Sequence, residues 1–396
     1  MAVQISKHVK YVGKIDWELR KFHGDQMSTD RGSSYNSYLV QSEKTALIDS
    51  VWKPYIGEFL NNLKNETNPG NIDYVIANHA EPDHSGVYPH LLAAHPDLPV
   101  YCSANGAKSL KGYYHKDWNF KIVKTGDKLS LGGGLELTFI EAPMMHWPDT
   151  LMCHLSGDDI LFSNDVFGQH LASEFLFAEM VNKYELDYEN MKYYANIIWP
   201  FAKKAKAKLE ELRSMKLPIQ MIAPAHGVIW REGLEELIAK YEAWSDEYAE
   251  DKITVLYDTM YESTRKMAEA IASGIRKQSP STEVKLFHCG KTNQSDVITE
   301  VFRSKGLMIG SPAYNNGVLN SIGALMEELK GISPAGKKAG VFTSYGWSPR
   351  SLKQLTGMAE ESGMEVFGKG LKVQWNPDEE AIKECIEFGE DFAASF

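Results

Sequence analysis

The chain has 396 residues, of which 42 are Lys or Arg and 53 are Asp or Glu, so its formal net charge is −11. This acidic balance argues against a nucleic-acid or anionic-membrane surface, because both need clustered Lys and Arg. The sequence contains no run of about 18 apolar residues, which predicts no membrane span, and no signal peptide is recognised. Four separated cysteines without a C-x-x-C pair favour a reduced, cytoplasmic protein, and the length of the chain favours two domains.

The first part of the chain is rich in predicted strands. It opens with a hairpin-like pair of apolar runs at 35–40 and 45–48. Further strands are predicted, in chain order, at residues 72–77, 100–103, 135–141, 150–155, 160–163 and 221–223. Helical patterns are predicted at 187–215 and from 231 to about 250.

From residue 252 onward, predicted strands and helices alternate regularly. The strands are expected at 253–257, 284–289, 307–309 and 339–342, with a further extended stretch at 365–374. Helices are expected to begin near residues 263, 295, 319, 349 and 377. This alternation is typical of a doubly wound parallel sheet. With a boundary in the charged stretch 246–252, we predict two α/β domains, residues 1–250 and 251–396.

The densest group of candidate ligands directly follows the strand at 72–77. His79, Glu81, Asp83 and His84 fall within six positions of a loop at the end of that strand, where side chains can converge without disrupting the core. Three more candidates, His146, Asp165 and His226, each follow a predicted strand in the same way. The sequence therefore predicts a metal site assembled from several strand ends.

The number and type of these ligands favour two metal ions. Six or seven imidazole and carboxylate ligands exceed the needs of one tetrahedral ion and suit two metals that share a bridging carboxylate. Oxygen-rich ligand sets with open positions favour iron or manganese. Two zinc ions remain an alternative at this point, because there are dizinc hydrolases whose ligand atoms are all nitrogen and oxygen.

The ligand motif resembles that of the metallo-β-lactamase fold, an αβ/βα sandwich whose hydrolases carry H-x-H-x-D-H. This sequence has H-x-E-x-D-H, in which Glu81 replaces the middle histidine. With that replacement, the motif resembles the one in flavodiiron proteins. These are cytoplasmic enzymes that reduce O2 to water or NO to N2O. An anionic oxygen in place of imidazole stabilises the ferric state, which suits electron delivery to either gas.

The resemblance implies a role for each candidate ligand. His79, Glu81 and His146 would bind one iron, Asp83 and His226 together with His84 the other, and Asp165 would bridge them. His23 and Tyr193 resemble residues that line the family's substrate pocket, and with Asp165 they are the predicted catalytic residues; an interior hydrogen bond is the structural alternative for His23 and Tyr193. Six other histidines are expected to be ordinary ones: His90, His95, His115, His154, His170 and His288.

The second domain resembles flavodoxin, with FMN at the carboxyl ends of its strands. Hydroxyls and backbone N–H groups at a helix start can hold the phosphate, and amides and aromatic rings can contact the flavin. Three loops are therefore predicted to bind FMN: Thr259, Met260, Tyr261, Glu262, Ser263 and Thr264; Ser311, Pro312, Ala313, Tyr314, Asn315, Asn316 and Gly317; and Ser344, Tyr345, Gly346, Trp347 and Ser348. The alternative for this half is a flavodoxin-like domain without a cofactor.

The fusion of the two domains indicates the reaction. A one-electron donor would reduce FMN, FMN would reduce two non-haem irons, and these would reduce O2 or NO. The resemblance implies a head-to-tail homodimer or a dimer of dimers. The donor is expected to be a separate rubredoxin, since no C-x-x-C pair follows the last helix; coenzyme F420 is a less favoured donor. Lys337, Lys338, Arg350 and Lys353 are a candidate docking patch, with a solvated helix face as the simpler interpretation.

Two other classes of function compete with this interpretation. A dizinc hydrolase of the metallo-β-lactamase type with an appended flavodoxin-like domain would contain zinc, would be colourless and would hydrolyse thioesters, lactams or phosphodiesters. An electron carrier with a vestigial metal site would contain flavin without iron. Metal analysis together with an absorption spectrum separates all three hypotheses.

Overall fold

A computed structural model describes residues 2–396 of the chain. The chain separates into two compact units. The first unit holds the residues up to 22 together with 29–246, and the second holds 23–28 and 247–396. The short segment 23–28 therefore groups with the carboxyl-terminal part of the chain, which its position in the sequence does not indicate.

The two units are built from short strands and helices of moderate length. The strands are β1 (Val3–Gln4), β2 (Val9–Tyr11), β3 (Lys14–Asp16), β4 (Lys21–Phe22), β5 (Met27–Ser28), β6 (Ser33–Tyr35), β7 (Tyr38–Gln41), β8 (Thr45–Ile48), β9 (Tyr74–Ile76), β10 (Val100–Cys102), β11 (Phe120–Ile122), β12 (Lys128–Gly132), β13 (Leu135–Glu141), β14 (Leu151–Leu155), β15 (Ile160–Asn164), β16 (Met221–Pro224), β17 (Glu250–Tyr257), β18 (Glu283–His288), β19 (Ser304–Gly310), β20 (Lys338–Tyr345), β21 (Glu365–Val366) and β22 (Leu371–Gln374). The α-helices are α1 (Ile56–Glu66), α2 (Pro82–Ser85), α3 (Tyr88–Ala94), α4 (Ala104–Tyr114), α5 (Lys183–Tyr193), α6 (Ala202–Ser214), α7 (Leu234–Trp244), α8 (Ser263–Gln278), α9 (Gln294–Arg303), α10 (Asn320–Ile332), α11 (Arg350–Glu361) and α12 (Glu379–Ala394).

Two sheets pack face to face in the first unit. One has the order β1-β2-β7-β8-β9-β10-β11 and the other β12-β13-β14-β15-β16. Val40 of the first sheet and Phe139 and Phe162 of the second belong to one buried apolar cluster between them. Leu39, the neighbour of Val40 on β7, belongs instead to a cluster with the apolar faces of the helices. Successive strand residues thus point to opposite faces, and both faces of the first sheet are covered.

The second unit contains one parallel sheet. Its order is β18-β17-β19-β20, with β21 and β22 both pairing with β20, and all of these pairs are parallel. Apolar residues of α8 and α12 pack against the central strands in one buried cluster. The loops that follow β17, β19 and β20 therefore leave the same edge of the sheet, as the predicted doubly wound arrangement requires.

The predicted fold class is confirmed, but two elements differ from the prediction. The run at 35–40 is broken between β6 and β7, because the side chain of Asn36 turns toward the end of β16 and donates to the carbonyls of Pro224 and Gly227. The helix predicted at 187–215 begins earlier, at Lys183, and is interrupted by a π-helix at Tyr194–Ile198 and a 3₁₀ turn at Trp199–Phe201. Pro200, which cannot donate a helical hydrogen bond, accounts for the second interruption.

Candidate functional site

Four strand ends of the first unit place seven titratable side chains together. β9 is followed by His79 and Glu81 and by the short helix α2, which carries Asp83 and His84. The loops after β13, β15 and β16 carry His146, Asp165 and His226. All seven side chains are buried, with at most 9% of any residue exposed. The structure thus brings together every metal ligand that the sequence predicts.

The seven side chains form two groups joined by one carboxylate. His79, Glu81 and His146 make up the His79 group, and Asp83, His84 and His226 the Asp83 group; in each, the ligand atoms lie close enough to bind one ion. Asp165 Oδ2 lies 3.6 Å from His79 Nε2 and 3.5 Å from His146 Nε2. Asp165 Oδ1 lies 3.2 Å from His84 Nε2 and 3.5 Å from His226 Nε2. Each oxygen of Asp165 therefore serves a different group.

The distances within each group suit ligands that bind the same ion. The Glu81 carboxylate lies 3.2 Å from His79 Nε2 and 3.4 Å from His146 Nε2, and Asp83 Oδ2 lies 3.3 Å from His226 Nε2. Two ligand atoms about 2.1 Å from one ion at a near-tetrahedral angle lie roughly 3.4 Å apart. Within residues 2–396, both carboxylate oxygens of Asp83, both ring nitrogens of His84 and Asp165 Oδ2 are buried without a hydrogen bond. The residues therefore fit two metal ions.

Outer hydrogen bonds fix the orientation of two of the imidazoles. His79 Nδ1–H donates to Asp149 Oδ2 at 2.9 Å, and His226 Nδ1–H donates to the backbone carbonyl of Ser34 at 2.6 Å. In both residues the proton on Nδ1 leaves the Nε2 lone pair directed at the group. The inner nitrogens are thus prepared to bind metal.

The electrostatics of the cluster favour cations. Burial opposes charge on Asp165, but the facing imidazoles of His84, His79 and His146 hold the pKa of its carboxyl well below its usual range. Burial also opposes charge on His84, yet Asp83 and Asp165 raise its pKa to about 9. Asp83 and Asp165 thus favour a positive charge at His84, and a metal ion bound there must displace the proton.

Tyr193, a predicted catalytic residue, contacts the bridging carboxylate. Its hydroxyl donates to Asp165 Oδ1 at 3.1 Å, and the side chain is fully buried. Tyr193 ends α5 directly before the π-helix, a feature that is frequent at functional sites.

His23, another predicted catalytic residue, lies in a different environment. It is exposed, has a left-handed backbone with φ of 50°, and groups with the second unit. Its role in the pocket stays a prediction.

His170, predicted from the sequence to be an ordinary histidine, lies beside the metal cluster. The His170 ring lies 5.0 Å from the His226 ring and 5.1 Å from the Tyr193 ring, and its Nδ1 pairs with Ser33 Oγ at 2.7 Å. His170 follows Asp165 by five residues in the same loop, and this proximity was the available signal.

A cavity of about 640 Å³ opens at the carboxyl edge of the sheet in the second unit. It is lined by ten of the residues predicted to bind FMN: Thr259, Met260, Tyr261, Ser263, Pro312, Ala313, Ser344, Tyr345, Gly346 and Trp347. Eight predicted residues are not part of its lining: Glu262, Thr264, Ser311, Tyr314, Asn315, Asn316, Gly317 and Ser348. Two of these eight support the loops instead, since Thr264 Oγ1 pairs with Ser344 Oγ and the Ser311 hydroxyl accepts from the Leu319 N–H.

Three residues of the cavity were missed. Trp375 and Asn376 follow β22, and Lys266 lies in the first turns of α8, where its Nζ donates to Asn376 Oδ1 at 2.8 Å. Trp375 packs on Gly346, where a Cβ atom would come within 2.7 Å of the indole ring. The sequence predicts residues 365–374 as one extended stretch with no binding loop at its end, so this fourth strand exit was not among the predicted parts of the cavity.

The cavity has features that fit a phosphate-bearing flavin. Among residues 2–396, the buried hydroxyl of Thr259 lacks a hydrogen-bond partner. Within residues 2–396, the N-cap residue of α8, Glu262, makes no side-chain capping hydrogen bond, which leaves N–H groups of the first turn available to an anion. Tyr261 and Trp347, each 88% exposed, present aromatic surface that a flavin ring could cover.

The candidate docking patch does not form as predicted. Lys337 is buried, and its Nζ donates to the backbone carbonyls of Phe302 and Ser304 at 2.8 and 2.6 Å. Lys338 is held by the carbonyl of Ser395 at 2.7 Å. Lys338 begins β20 and Lys337 directly precedes it, at the end of that strand opposite to the cavity, so these two lysines do not contribute to a docking patch near the flavin loops.

Two protein-family models match the chain. Residues 34–227 match the ODP family beta lactamase and residues 255–389 match flavodoxin. In the part of the chain that the structure describes, no helix is both long enough and apolar enough to cross a membrane.

Similar proteins cover nearly the whole chain. The anaerobic nitric oxide reductase flavorubredoxin of Escherichia coli K12 is 44% identical over 394 residues, which are 99% of this chain and 82% of that protein. The rubredoxin oxygen:oxidoreductase of Desulfovibrio gigas superposes with a TM-score of 0.96 at 33% identity, covering 100% of this chain and 98% of that one. The flavodiiron protein of Giardia intestinalis gives a TM-score of 0.94 at 31% identity, covering 100% and 96%.

These similarities favour a redox enzyme over a dizinc hydrolase, because the relatives are named as oxidoreductases. They agree with the two prepared metal groups of the first unit and the flavin-sized cavity of the second. The chain therefore belongs to the flavodiiron protein family and is an oxidoreductase with FMN and a non-haem diiron site as its cofactors.

Proposed function

We propose that this flavodiiron oxidoreductase reduces NO to N2O and O2 to water at two irons. The His79 group would hold one iron, the Asp83 group the other, and Asp165 would bridge them. The observation that carries the proposal is the position of Asp165, whose two carboxylate oxygens each face two imidazoles of a different group at 3.2–3.6 Å. Such an arrangement suits two ions that bind one small substrate together.

The residues of the site would prepare it for this chemistry. Glu81, Asp83 and Asp165 supply negative charge in a buried pocket, where it offsets the charge of the metals strongly. The Tyr193 hydroxyl holds its proton 3.1 Å from Asp165 Oδ1 and thereby fixes the orientation of the bridging carboxylate. When bound, FMN accepts and passes on single electrons, and the irons supply the redox chemistry.

The second unit would bind the flavin at the carboxyl ends of its strands. The Thr259 hydroxyl and the uncapped start of α8 at Ser263 are suited to the phosphate, and Trp347 and Trp375 to the ring system. We propose residues 1–250 as the diiron domain and 251–396 as the FMN domain.

We further propose a head-to-tail homodimer, alone or as a dimer of dimers, with rubredoxin as the electron donor. The metal groups and the flavin cavity lie in different units of one chain, so that a second copy could pair one copy's flavin with the other's metals. The names of the Escherichia coli and Desulfovibrio gigas relatives link both to rubredoxin. A cytoplasmic location is proposed as well, since all four cysteines are unpaired.

The substrates can be tested directly with the purified, fully loaded protein. We expect one FMN and about two irons per chain, and we expect the reduced protein to be reoxidised by both NO and O2 in stopped-flow mixing. The 44% identity to a nitric oxide reductase favours the faster reaction with NO. Reduced protein that reacts with neither gas, or that contains zinc in place of iron, would contradict the proposal.

The dimer has its own test. A variant that lacks metal and a variant that lacks flavin are each expected to be inactive. In a head-to-tail dimer, mixing the two should restore activity in heterodimers, because one copy's flavin then serves the other's metals. A monomer in light scattering, or mixtures without activity, would contradict the arrangement.

A further inference from the structure

The two metal-binding groups are matched in the ligands that face the metal. Each has two imidazoles, one carboxylate and one oxygen of Asp165. The direct ligands alone therefore give no reason for the two ions to differ in affinity or potential. A difference must come from the groups that these ligands contact on their outer side.

The outer contacts of the two groups are unequal in charge. In the His79 group, Asp149 Oδ2 accepts from His79 Nδ1–H at 2.9 Å and from the Ala80 N–H at 2.7 Å. The side chain of Asp149 is completely buried. Its backbone carbonyl is held in turn by the hydroxyl of Ser103 at 2.8 Å. A carboxylate is thus fixed rigidly behind one of the imidazoles.

Among residues 2–396, no carboxylate is hydrogen-bonded to the outer ring nitrogen of either imidazole in the Asp83 group. His226 Nδ1–H donates to a neutral backbone carbonyl, that of Ser34, at 2.6 Å. Nδ1 of His84 is buried and has no hydrogen-bond partner in residues 2–396. The nearby buried carboxyl of Asp49 accepts from the amides of Asn78 and Asn164. Within residues 2–396, Asp49 makes no hydrogen bond to an imidazole of this group.

We propose that Asp149 is a positioning residue that makes the two iron sites unequal, so that the His79 group binds its iron more tightly and keeps it ferric at a lower potential. A carboxylate behind an imidazole fixes the ring and raises the basicity of Nε2, whereas a carbonyl does so less. Its negative charge, in a medium of low dielectric constant, also favours the higher oxidation state of the nearby ion. This inference rests on the proposed ligand set.

The test uses Asp149→Asn in the full-length chain with FMN bound. Iron is removed anaerobically with a chelator, and Co(II) is then added while its visible absorption is followed. In the wild type we expect two binding events. In the variant, one event should weaken by about 10–100-fold, the usual effect of losing such an outer contact, and the other should be unchanged.

The chain offers a matched control. Asp158 is a carboxylate that pairs with the imidazole of His8 at 2.7 Å, but it lies in the turn before β15, whereas Asp165 follows that strand. Asp158→Asn removes the same kind of charge from the same kind of contact. Both Co(II) binding events should stay as in the wild type.

A second measurement separates electrostatic control from a purely structural role. In the iron-loaded Asp149→Asn variant, reductive titration followed by electron paramagnetic resonance should give the half-reduced state at a higher potential than in the wild type. An unchanged potential, two unchanged Co(II) binding events, or two events that weaken equally would each overturn the proposal.

A measurement on the wild type covers the case in which the variant does not fold. Crystals grown with one equivalent of Co(II) per chain should show more anomalous signal at the His79 group than at the Asp83 group. Equal or reversed occupancy overturns the inference and leaves the proposed function standing. Wild-type protein that takes up no Co(II) would instead contradict the ligand set, and with it both proposals.

Discussion

The metal cluster of the first unit and the cavity of the second unit are prepared for their cofactors in opposite ways. The seven candidate metal ligands are buried, and outer hydrogen bonds such as those from His79 to Asp149 and from His226 to Ser34 orient them. The cavity is open, and Tyr261, Trp347 and Trp375 on its walls are 88%, 88% and 62% exposed.

The physical demands of the two ligands explain this difference. An ion gains its binding energy from a few short contacts, so the charges must be collected and held in advance at a cost in desolvation. A flat molecule of flavin size gains binding energy from the apolar surface that it covers, so that surface stays exposed until the ligand arrives. We therefore expect the metal cluster to lose its ions when a charged ligand is removed. We expect the cavity to lose flavin affinity when a substitution changes its shape.

The largest effect is expected from Asp165→Ala. This change removes the one carboxylate that faces all four imidazoles of the cluster, so we expect loss of most of the iron and of gas reduction. The flavin content should be that of the wild type. Metal analysis and the flavin absorption of the same sample provide the measurement. A variant that keeps both irons and full turnover would disprove the bridging assignment.

A substitution in the second unit tests the flavin cavity and leaves the metal cluster unchanged. In Gly346→Val, the new side chain would collide with the Trp375 ring, which lies 2.7 Å from the position of a Cβ atom. We expect FMN to bind at least about tenfold more weakly, which is a loss of ~1.4 kcal/mol in binding free energy. The iron content should be unchanged. Fluorescence titration of the flavin-free protein with FMN measures the affinity.

Gly357→Val is the matched control for this change. Gly357 lies on α11, and a Cβ atom there would meet no other atom within 4 Å. FMN affinity in this variant should equal that of the wild type. Equal affinity in Gly346→Val would show that the loop after β20 does not shape the cavity.

The sequence predicted the buried site more completely than the open one, and the reason is local chemistry. Each metal ligand follows a strand and is a titratable residue, so residue type and position together identify it. His170 follows Asp165 in the same loop, but it was missed because its contacts with His226 and Tyr193 also depend on tertiary packing. The exposed, left-handed position of His23 was equally invisible in the sequence.

The fold and the flavin cavity show where sequence patterns stop being informative. Strands such as β8 and β13 were predicted with their observed bounds, because apolar runs between polar turns define them. Trp375 has no motif around it, and its place in the cavity depends on the pairing of β22 with β20. The burial of Lys337 likewise depends on backbone carbonyls that come from other elements.

Removal of each cofactor should destabilise its own unit. A ligand present at 100 times its dissociation constant stabilises the folded state by about 2.7 kcal/mol. Since each 1 kcal/mol shifts the midpoint by roughly 2–4 °C in domains of 150–250 residues, the expected shift is roughly 5–11 °C. Chelation should therefore lower the midpoint of one calorimetric transition, and flavin removal that of the other. If either treatment shifted both transitions equally, the two sites would not be energetically separate.

The smallest effect is expected from Tyr193→Phe, which tests whether a single outer hydrogen bond matters in a site built on charge. The change removes only the hydroxyl that donates to Asp165 Oδ1 at 3.1 Å. A buried hydrogen bond contributes about 1 kcal/mol, so iron affinity, measured by competition with a chelator, should fall by less than tenfold. Tyr194→Phe is the neighbouring control, because the Tyr194 hydroxyl pairs with Ser245 at 2.8 Å.

Loss of a whole iron in Tyr193→Phe would mean that orientation of the bridge by this hydroxyl, rather than the collected charge, governs metal binding. An unchanged affinity would mean that the imidazoles alone hold Asp165 in place. Only the intermediate result agrees with a cluster in which the carboxylates and imidazoles determine most of the iron affinity and the outer hydrogen bonds change it slightly.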